Sequence, residues 1–117
     1  MKKFDIDELI QSYEREVLED QIGLWELVHE AQMRRLKGKD LREFVIHVVR
    51  EMLARGFRPG MHDPNDDFRL APWPERDHEA IIRRIEAEWD ALGRDPSIAD
   101  IAWFDRPGDT PAAGSSQ

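Results

Sequence analysis

The segment Asp40-Leu-Arg-Glu-Phe-Val-Ile-His-Val-Val-Arg-Glu-Met-Leu-Ala-Arg-Gly56 carries the most apolar helical pattern of the chain. At about 100° per residue, its apolar side chains cover roughly half of the helix circumference, which is wider than the stripe of a surface helix. These side chains are Leu41, Phe44, Val45, Ile46, Val48, Val49, Met52 and Leu53. We therefore predict a central helix that packs against at least two neighbours. The residues predicted to face water are Glu43, His47, Arg50, Glu51 and Ala54.

Three further amphipathic patterns predict the other helices. The first helix begins near Asp5 and breaks near Asp20, which we predict as the N-cap of the second helix. Gly38 is a suitable stop for the second helix, because glycine readily adopts the left-handed conformation that follows many helix C-termini. The fourth helix is predicted to begin within residues 74–77 and to end at Gly93.

Residues 57–73, between the third and fourth helices, lack helical periodicity and are rich in proline and aromatic residues. We predict two extended arms that can pair as an irregular hairpin, although Pro59 and Pro72 each remove a backbone donor. The predicted fold is all-α: a four-helix bundle-like single domain over residues 1–106, with this short extended or hairpin segment between helices 3 and 4. Residues 107–117 have no apolar side chain larger than alanine, which predicts a disordered tail.

The composition limits the classes of protein to which this chain can belong. A chain of 117 residues with 40% apolar and 36% charged residues suits one globular domain with a single core. Because cysteine is absent, disulfides, a thiol nucleophile and thiolate metal sites are excluded. No apolar run is long enough for a membrane helix or a signal core, so we expect a cytoplasmic protein without membrane contact.

The negative charge is concentrated in the second half of the chain. Residues 1–58 hold 11 Lys/Arg and 12 Asp/Glu, a net charge of −1, whereas residues 59–117 hold 6 and 13, a net charge of −7. Duplex-binding domains usually present a basic face to the phosphates, so this balance weighs against nucleic acid as the partner. An acidic half favours a basic protein, whose approach it would accelerate by electrostatic steering.

The histidine and carboxylate motifs fail the spacing that catalysis or metal binding needs. His29-Glu-Ala-Gln-Met33 and His78-Glu-Ala-Ile-Ile82 begin like zinc protease helices but lack the second histidine. Asp63-Pro-Asn-Asp-Asp67 lacks the glycine and the final glutamate of a calcium loop, which leaves only a weaker site of His62, Asp63, Asp66 and Asp67 open. There is no Gly-rich phosphate loop and no serine nucleophile motif. We predict no catalytic residue, no cofactor and no metal.

Protein contact is the interpretation that the remaining features favour. The chain has four tryptophans, a residue type that often anchors interfaces, and two of them lie in irregular acidic segments. We predict a non-enzymatic protein-binding module, and its candidate interaction residues are Asp63, Asp66, Asp67, Trp73, Asp100 and Trp103.

The alternative is a winged-helix-like DNA-binding regulator, in which the helices precede a hairpin wing. Its phosphate contacts would come from the basic cluster, which comprises Arg34, Arg35, Lys37, Lys39 and Arg42. A wing that carries Asp63, Asp66 and Asp67 would be repelled by phosphates, so this function ranks second.

A resemblance adds to this interpretation. Residues 88–104 (Glu-Trp-Asp-Ala-Leu-Gly-Arg-Asp-Pro-Ser-Ile-Ala-Asp-Ile-Ala-Trp-Phe), preceded by residues 53–60 and by Pro72-Trp73, resemble the closing pattern of a group of small bacterial helical proteins. Some members of that group resemble immunity-type proteins of toxin systems. An immunity-like neutraliser of a basic toxin, acting through the acidic C-terminal half, is the sharpest form of the protein-binding prediction. The resemblance itself implies a helical fold and a non-enzymatic role. It transfers no functional residue.

Overall fold

The computed structural model describes residues 3–63, 66–98 and 100–106, and within them it contains four α-helices and four β-strands. Side chains are described for residues 6–61, 70–98 and 100–106. In chain order the elements are α1 (Lys3–Glu16), β1 (Ile22–Gly23), α2 (Leu24–Met33), α3 (Gly38–Ala54), β2 (Arg58–Asp63), β3 (Asp66–Pro72), α4 (His78–Leu92) and β4 (Trp103–Asp105).

The four strands form one antiparallel sheet in the order β1-β4-β2-β3. Strand β4 lies between β1 and β2, since Phe104 is opposite Ile22 on one side and Pro59 on the other. The prediction of an all-α, four-helix bundle-like domain is therefore wrong, because the fold is a mixed α+β arrangement of four helices and one antiparallel sheet.

Two of the strands are too short to be recognised in the sequence. β1 has two residues and β4 has three, whereas an alternating pattern needs about four or more residues to be visible. Both strands exist because of backbone pairing between segments some eighty residues apart, for which a local pattern carries no signal. The predicted tail over residues 107–117 lies outside the described residues.

The hairpin predicted within residues 57–73 is confirmed as β2 and β3. The Trp73 amide donates to the Pro59 carbonyl oxygen at 3.1 Å. Because bonded and non-bonded pairs alternate along an antiparallel ladder, the next pair, Gly60 and Pro72, is a non-bonded one. The Pro72 nitrogen thus points to the open edge of the sheet, where proline costs no ladder bond. Gly60 is needed beside it, since a Cβ there would lie 2.6 Å from the Ala71 carbonyl oxygen.

Helix α3 is the centre of the core, as predicted. Its buried residues are the eight apolar residues of the opening segment, and the helix contacts α1, α2 and α4. Burying each such side chain contributes about 1.5–3 kcal/mol. The sheet end of the core is closed by Phe57 and Phe104, which have no exposed surface, and by Trp73.

Helices α2 and α3 end in the same way, with one residue in the left-handed conformation. After α2 the Arg35 amide donates to Gln32 and the Leu36 amide to Ala31; after α3 the corresponding residues are Gly56 and Phe57, which donate to Leu53 and Met52. This is the hydrogen-bond pattern of a Schellman motif. The left-handed residue is Gly56 (φ +97°) after α3 but Arg35 (φ +65°) after α2, so α2 ends before the predicted stop at Gly38.

The two helix ends give a matched test of backbone strain. Arg35→Gly should raise the free energy of unfolding by about 1 kcal/mol, because a non-glycine residue pays to adopt a left-handed conformation, and Gly56→Ala should lower it by about as much. The measurement is the urea midpoint of each variant at constant slope. Arg35→Ala is the control, since it removes the side chain without relieving the strain and should match the parent protein. An equal gain from Arg35→Ala and Arg35→Gly would contradict the strain explanation.

Candidate functional site

A groove of about 630 Å³ runs between α3 and α4, a volume within the usual range of ligand-binding clefts, roughly 300–1,000 Å³. Its floor is formed by Ile46 and Trp89, which are 8% and 5% exposed. The charged and polar side chains around this floor are Lys39, Arg42, Glu43, His47, Arg50, Glu86 and Asp95. The three- and four-residue spacings place the α3 members on one stripe of that helix.

Arg42 closes the floor of the groove and joins the two helices. Its guanidinium carbon lies 5.4 Å from the centre of the Trp89 ring. One nitrogen donates to an oxygen of Asp90 at 2.7 Å, and another donates to the backbone carbonyl of Glu86 at 3.2 Å. A cation above an indole face and a charge-assisted hydrogen bond both stabilise this position.

The other cations of the groove are also paired. Arg50 forms an ion pair with Glu79 of α4, and Lys39 lies 3.8 Å from Glu43 of its own helix. Because Arg42 contacts residues near the C-terminus of α4 and Arg50 contacts one near its N-terminus, the two helices are antiparallel.

Two acids of the groove have side chains without a partner. Within the described part of the chain, the carboxylates of Glu86 and Asp95 take part in no ion pair or hydrogen bond, and neither does the His47 ring. The groove therefore combines an apolar floor with unpaired negative charge, an arrangement that suits a ligand with both apolar and cationic groups. Neither acid was among the residues singled out from the sequence.

Two of the predicted interaction residues, Trp73 and Asp100, make their contacts within the fold. Trp73 is 6% exposed, and the Arg84 guanidinium lies 3.8 Å from the centre of its ring. Asp100 accepts hydrogen bonds from the Ser97 amide and from Arg94, each at 2.8 Å. These bonds hold the pKa of the Asp100 carboxyl below its ordinary value, and they order the turn that leads into β4.

The remaining predicted interaction residues lie elsewhere. Trp103 is partly buried in β4, opposite Gly23 of β1. The side chains of Asp63, Asp66 and Asp67, and of His62 in the weaker metal site, are outside the described residues. No group of three or more potential metal ligands occurs among the side chains that are described.

The basic cluster is largely neutralised. Arg34 pairs with Glu30 at 3.0 Å and lies over the Phe44 ring, Lys39 is close to Glu43, and Arg42 is held in the groove. Arg35 and Lys37 are exposed. A phosphate backbone would have to compete with three carboxylates for Arg34, Lys39 and Arg42, which weighs against the DNA-binding alternative.

An acidic cluster at the junction of α1 and α2 contains the most strongly shifted carboxyl. Burial raises the pKa of Glu26 to about 7, helped by the nearby Glu16 and Asp20 and opposed by the Gly23 amide, which donates to Glu26 at 3.0 Å. Gly23 is therefore the N-cap of α2, and Glu26 in the first turn accepts from its amide, whereas among the described residues the predicted N-cap, Asp20, accepts from the Gln21 amide. Burial also raises the pKa of the Tyr13 phenol, and the carboxylates of Glu30, Glu26 and Glu16 raise it further.

Glu26 makes the stability of the protein depend on pH. Because its pKa is raised in the folded state, protonation favours folding, so this contribution is present at low pH and is lost as the pH rises through about 7. Glu26→Gln keeps an acceptor for the Gly23 amide without the charge. The variant should be more stable than the parent protein at pH 8 by about 1 kcal/mol, a value reduced for solvent screening of a half-buried group, and equally stable near pH 4.

The measurement is thermal unfolding of both proteins across this pH range. Glu26→Ala is the control, because it also removes the charge but leaves the Gly23 amide without its acceptor. It should be less stable than Glu26→Gln at every pH. If Glu26→Gln gains nothing at pH 8, the carboxyl is not the group that destabilises the folded state there.

Comparisons of this chain with protein-family models, with curated proteins and with solved structures gave no match. The resemblance of residues 88–104 to the small bacterial helical proteins thus stays a prediction. No helix among the described residues is both long and apolar enough to cross a bilayer.

Proposed function

We propose that this chain is a small non-catalytic module that binds a basic segment of another protein in the groove between α3 and α4. The observation that carries the proposal is the charge state of the groove. Its three cations are already paired, while Glu86 and Asp95 beside the Ile46 and Trp89 floor are not. A ligand that adds cations and an apolar face completes this arrangement.

An amphipathic helix is the occupant that fits best. The contacts of Arg42 and Arg50 are eight residues apart on α3, a rise of about 12 Å, which corresponds to about two helical turns. Grooves between two helices commonly receive a third helix whose apolar side chains lie at positions i, i+3, i+4 and i+7. Such a helix would place leucine-like side chains on Ile46, and its flanking lysines or arginines near Glu86 and Asp95.

The charge of the whole chain supports a basic partner. The net charge of −7 over residues 59–117 creates a field that raises the rate of encounter with a cationic protein. In its sharpest form the proposal is an immunity-like protein of the cytoplasm, which neutralises a basic toxin by covering its active surface. No catalytic residue is required for this activity.

The test uses a synthetic amphipathic peptide of about 14 residues with leucines at positions i, i+3, i+4 and i+7 and arginines on the flanks. We expect the parent protein to bind it and Glu86→Gln/Asp95→Asn to bind it roughly tenfold more weakly, because two charges facing the ligand are lost. The measurement is isothermal titration calorimetry at physiological salt.

Glu8→Gln/Glu51→Gln is the matched control, because it removes the same charge from residues that do not line the groove. The control should bind like the parent protein. An equal loss in both double variants would mean that the peptide responds only to net charge. Absence of binding to the parent protein would overturn the proposed function.

A further inference from the structure

The groups that surround the Arg42 guanidinium, called the Arg42 seat below, form a site that is chemically suited to bind an arginine side chain. It consists of the face of Trp89, the carboxylate of Asp90 and the backbone carbonyl of Glu86, with the distances given above. Stacking on an aromatic face while reaching two acceptors in one plane suits a guanidinium. An ammonium is a compact point charge and cannot do both.

The position of this seat separates it from similar contacts in the protein. Arg34 lies over Phe44, Arg84 over Trp73 and Arg106 over Phe57, each with a glutamate partner. Those residues do not line the groove, whereas both Arg42 and Trp89 do. The Arg42 seat is also accessible, because the side chain of its partner Asp90 is 70% exposed.

The carboxylates around the seat outnumber its occupant. Asp90 is bound to Arg42, and the unpaired side chains of Glu86 and Asp95 line the same groove. A second guanidinium can therefore enter without leaving either cation unpaired. The Asp90 side of the pair is exposed, and an entering guanidinium makes the same kinds of contact that Arg42 gives up, so the exchange costs little free energy.

We propose that Arg42 occupies, in the free protein, the seat that an arginine of the partner takes in the complex, and that binding displaces Arg42 from Trp89. The inference rests on the proposed function and names its anchor: the basic segment carries an arginine at the centre of its apolar face. Arg42 then acts as an internal competitor. The apparent affinity for the partner is then the intrinsic affinity multiplied by the fraction of time for which Arg42 leaves the seat empty.

The test compares two peptides of the kind described above, one with arginine and one with lysine at the central position. Removing the competitor with Arg42→Ala should tighten binding of the arginine peptide roughly tenfold, and binding of the lysine peptide clearly less. Arg42→Lys keeps the charge but loses the planar fork, so its affinity for the arginine peptide should lie between those of the parent protein and Arg42→Ala.

Arg50→Ala is the matched control, because it removes one cation from the same groove without uncovering an aromatic ring. It should tighten both peptides by the same small factor through charge alone. The decisive readout is therefore the ratio of arginine-peptide to lysine-peptide affinity, which should rise in Arg42→Ala and stay constant in Arg50→Ala. Quenching of tryptophan fluorescence by the peptide provides a second signal, which Trp89→Phe should reduce.

The outcomes separate this inference from the function on which it rests. If the parent protein binds and the affinity ratio is unchanged in Arg42→Ala and Arg42→Lys, Arg42 only joins the two helices and the inference is overturned, while the groove keeps its proposed function. If neither peptide binds the parent protein or Arg42→Ala, both proposals fail. Should Arg42→Ala not fold, as judged by its thermal transition, Arg42→Lys decides by the same ratio.

Discussion

The width of the apolar face on α3 is the constraint on which the rest of the structure depends. Eight buried residues on one helix cannot be covered by a single neighbour, since one helix contact covers only a stripe. Helices α1, α2 and α4 divide the task. The strip of α3 that remains uncovered is narrow and charged, and together with α4 it forms the groove. The candidate site therefore lies at the part of the α3 surface that its packing partners leave uncovered.

Arginine side chains cover aromatic rings at the margin of the core in this protein, in addition to forming ion pairs. The planar guanidinium lies on the ring while carboxylates hold its edge, so the ring is shielded from water without adding apolar surface. This explains how a chain with 36% charged residues can keep Trp73 and Trp89 almost completely buried. It also means that tryptophan and acidic residues in one segment do not by themselves indicate an interface, since at Trp73 they belong to such a cover.

The features that could be predicted from sequence are those that a local pattern determines. The burial of Phe44 and Val48, the confirmed hairpin, and the end of α4 at Gly93, which has a φ of +74°, all follow from spacing or from the conformational freedom of glycine. The sheet could not be predicted, because β1 and β4 are defined by pairing with distant residues. For the site, the sequence placed His47 and Arg50 correctly outside the core. It could not show that Arg50 finds a partner on α4 while Glu86 does not, because that depends on how two helices are aligned in space.

The position of β4 has a consequence for the order in which the fold can form. Among the described strands, β1 pairs only with β4, and β4 is also the neighbour of β2 on the side away from β3. During synthesis, the segment that becomes β1 leaves the ribosome about eighty residues ahead of its pairing partner, so it lacks its strand partner while the helices are already able to collapse around α3. Closing such a long loop is slow compared with helix formation. The pairings of β4 with β1 and β2 are therefore late steps, which follow the formation of the helices and of the local β2–β3 hairpin.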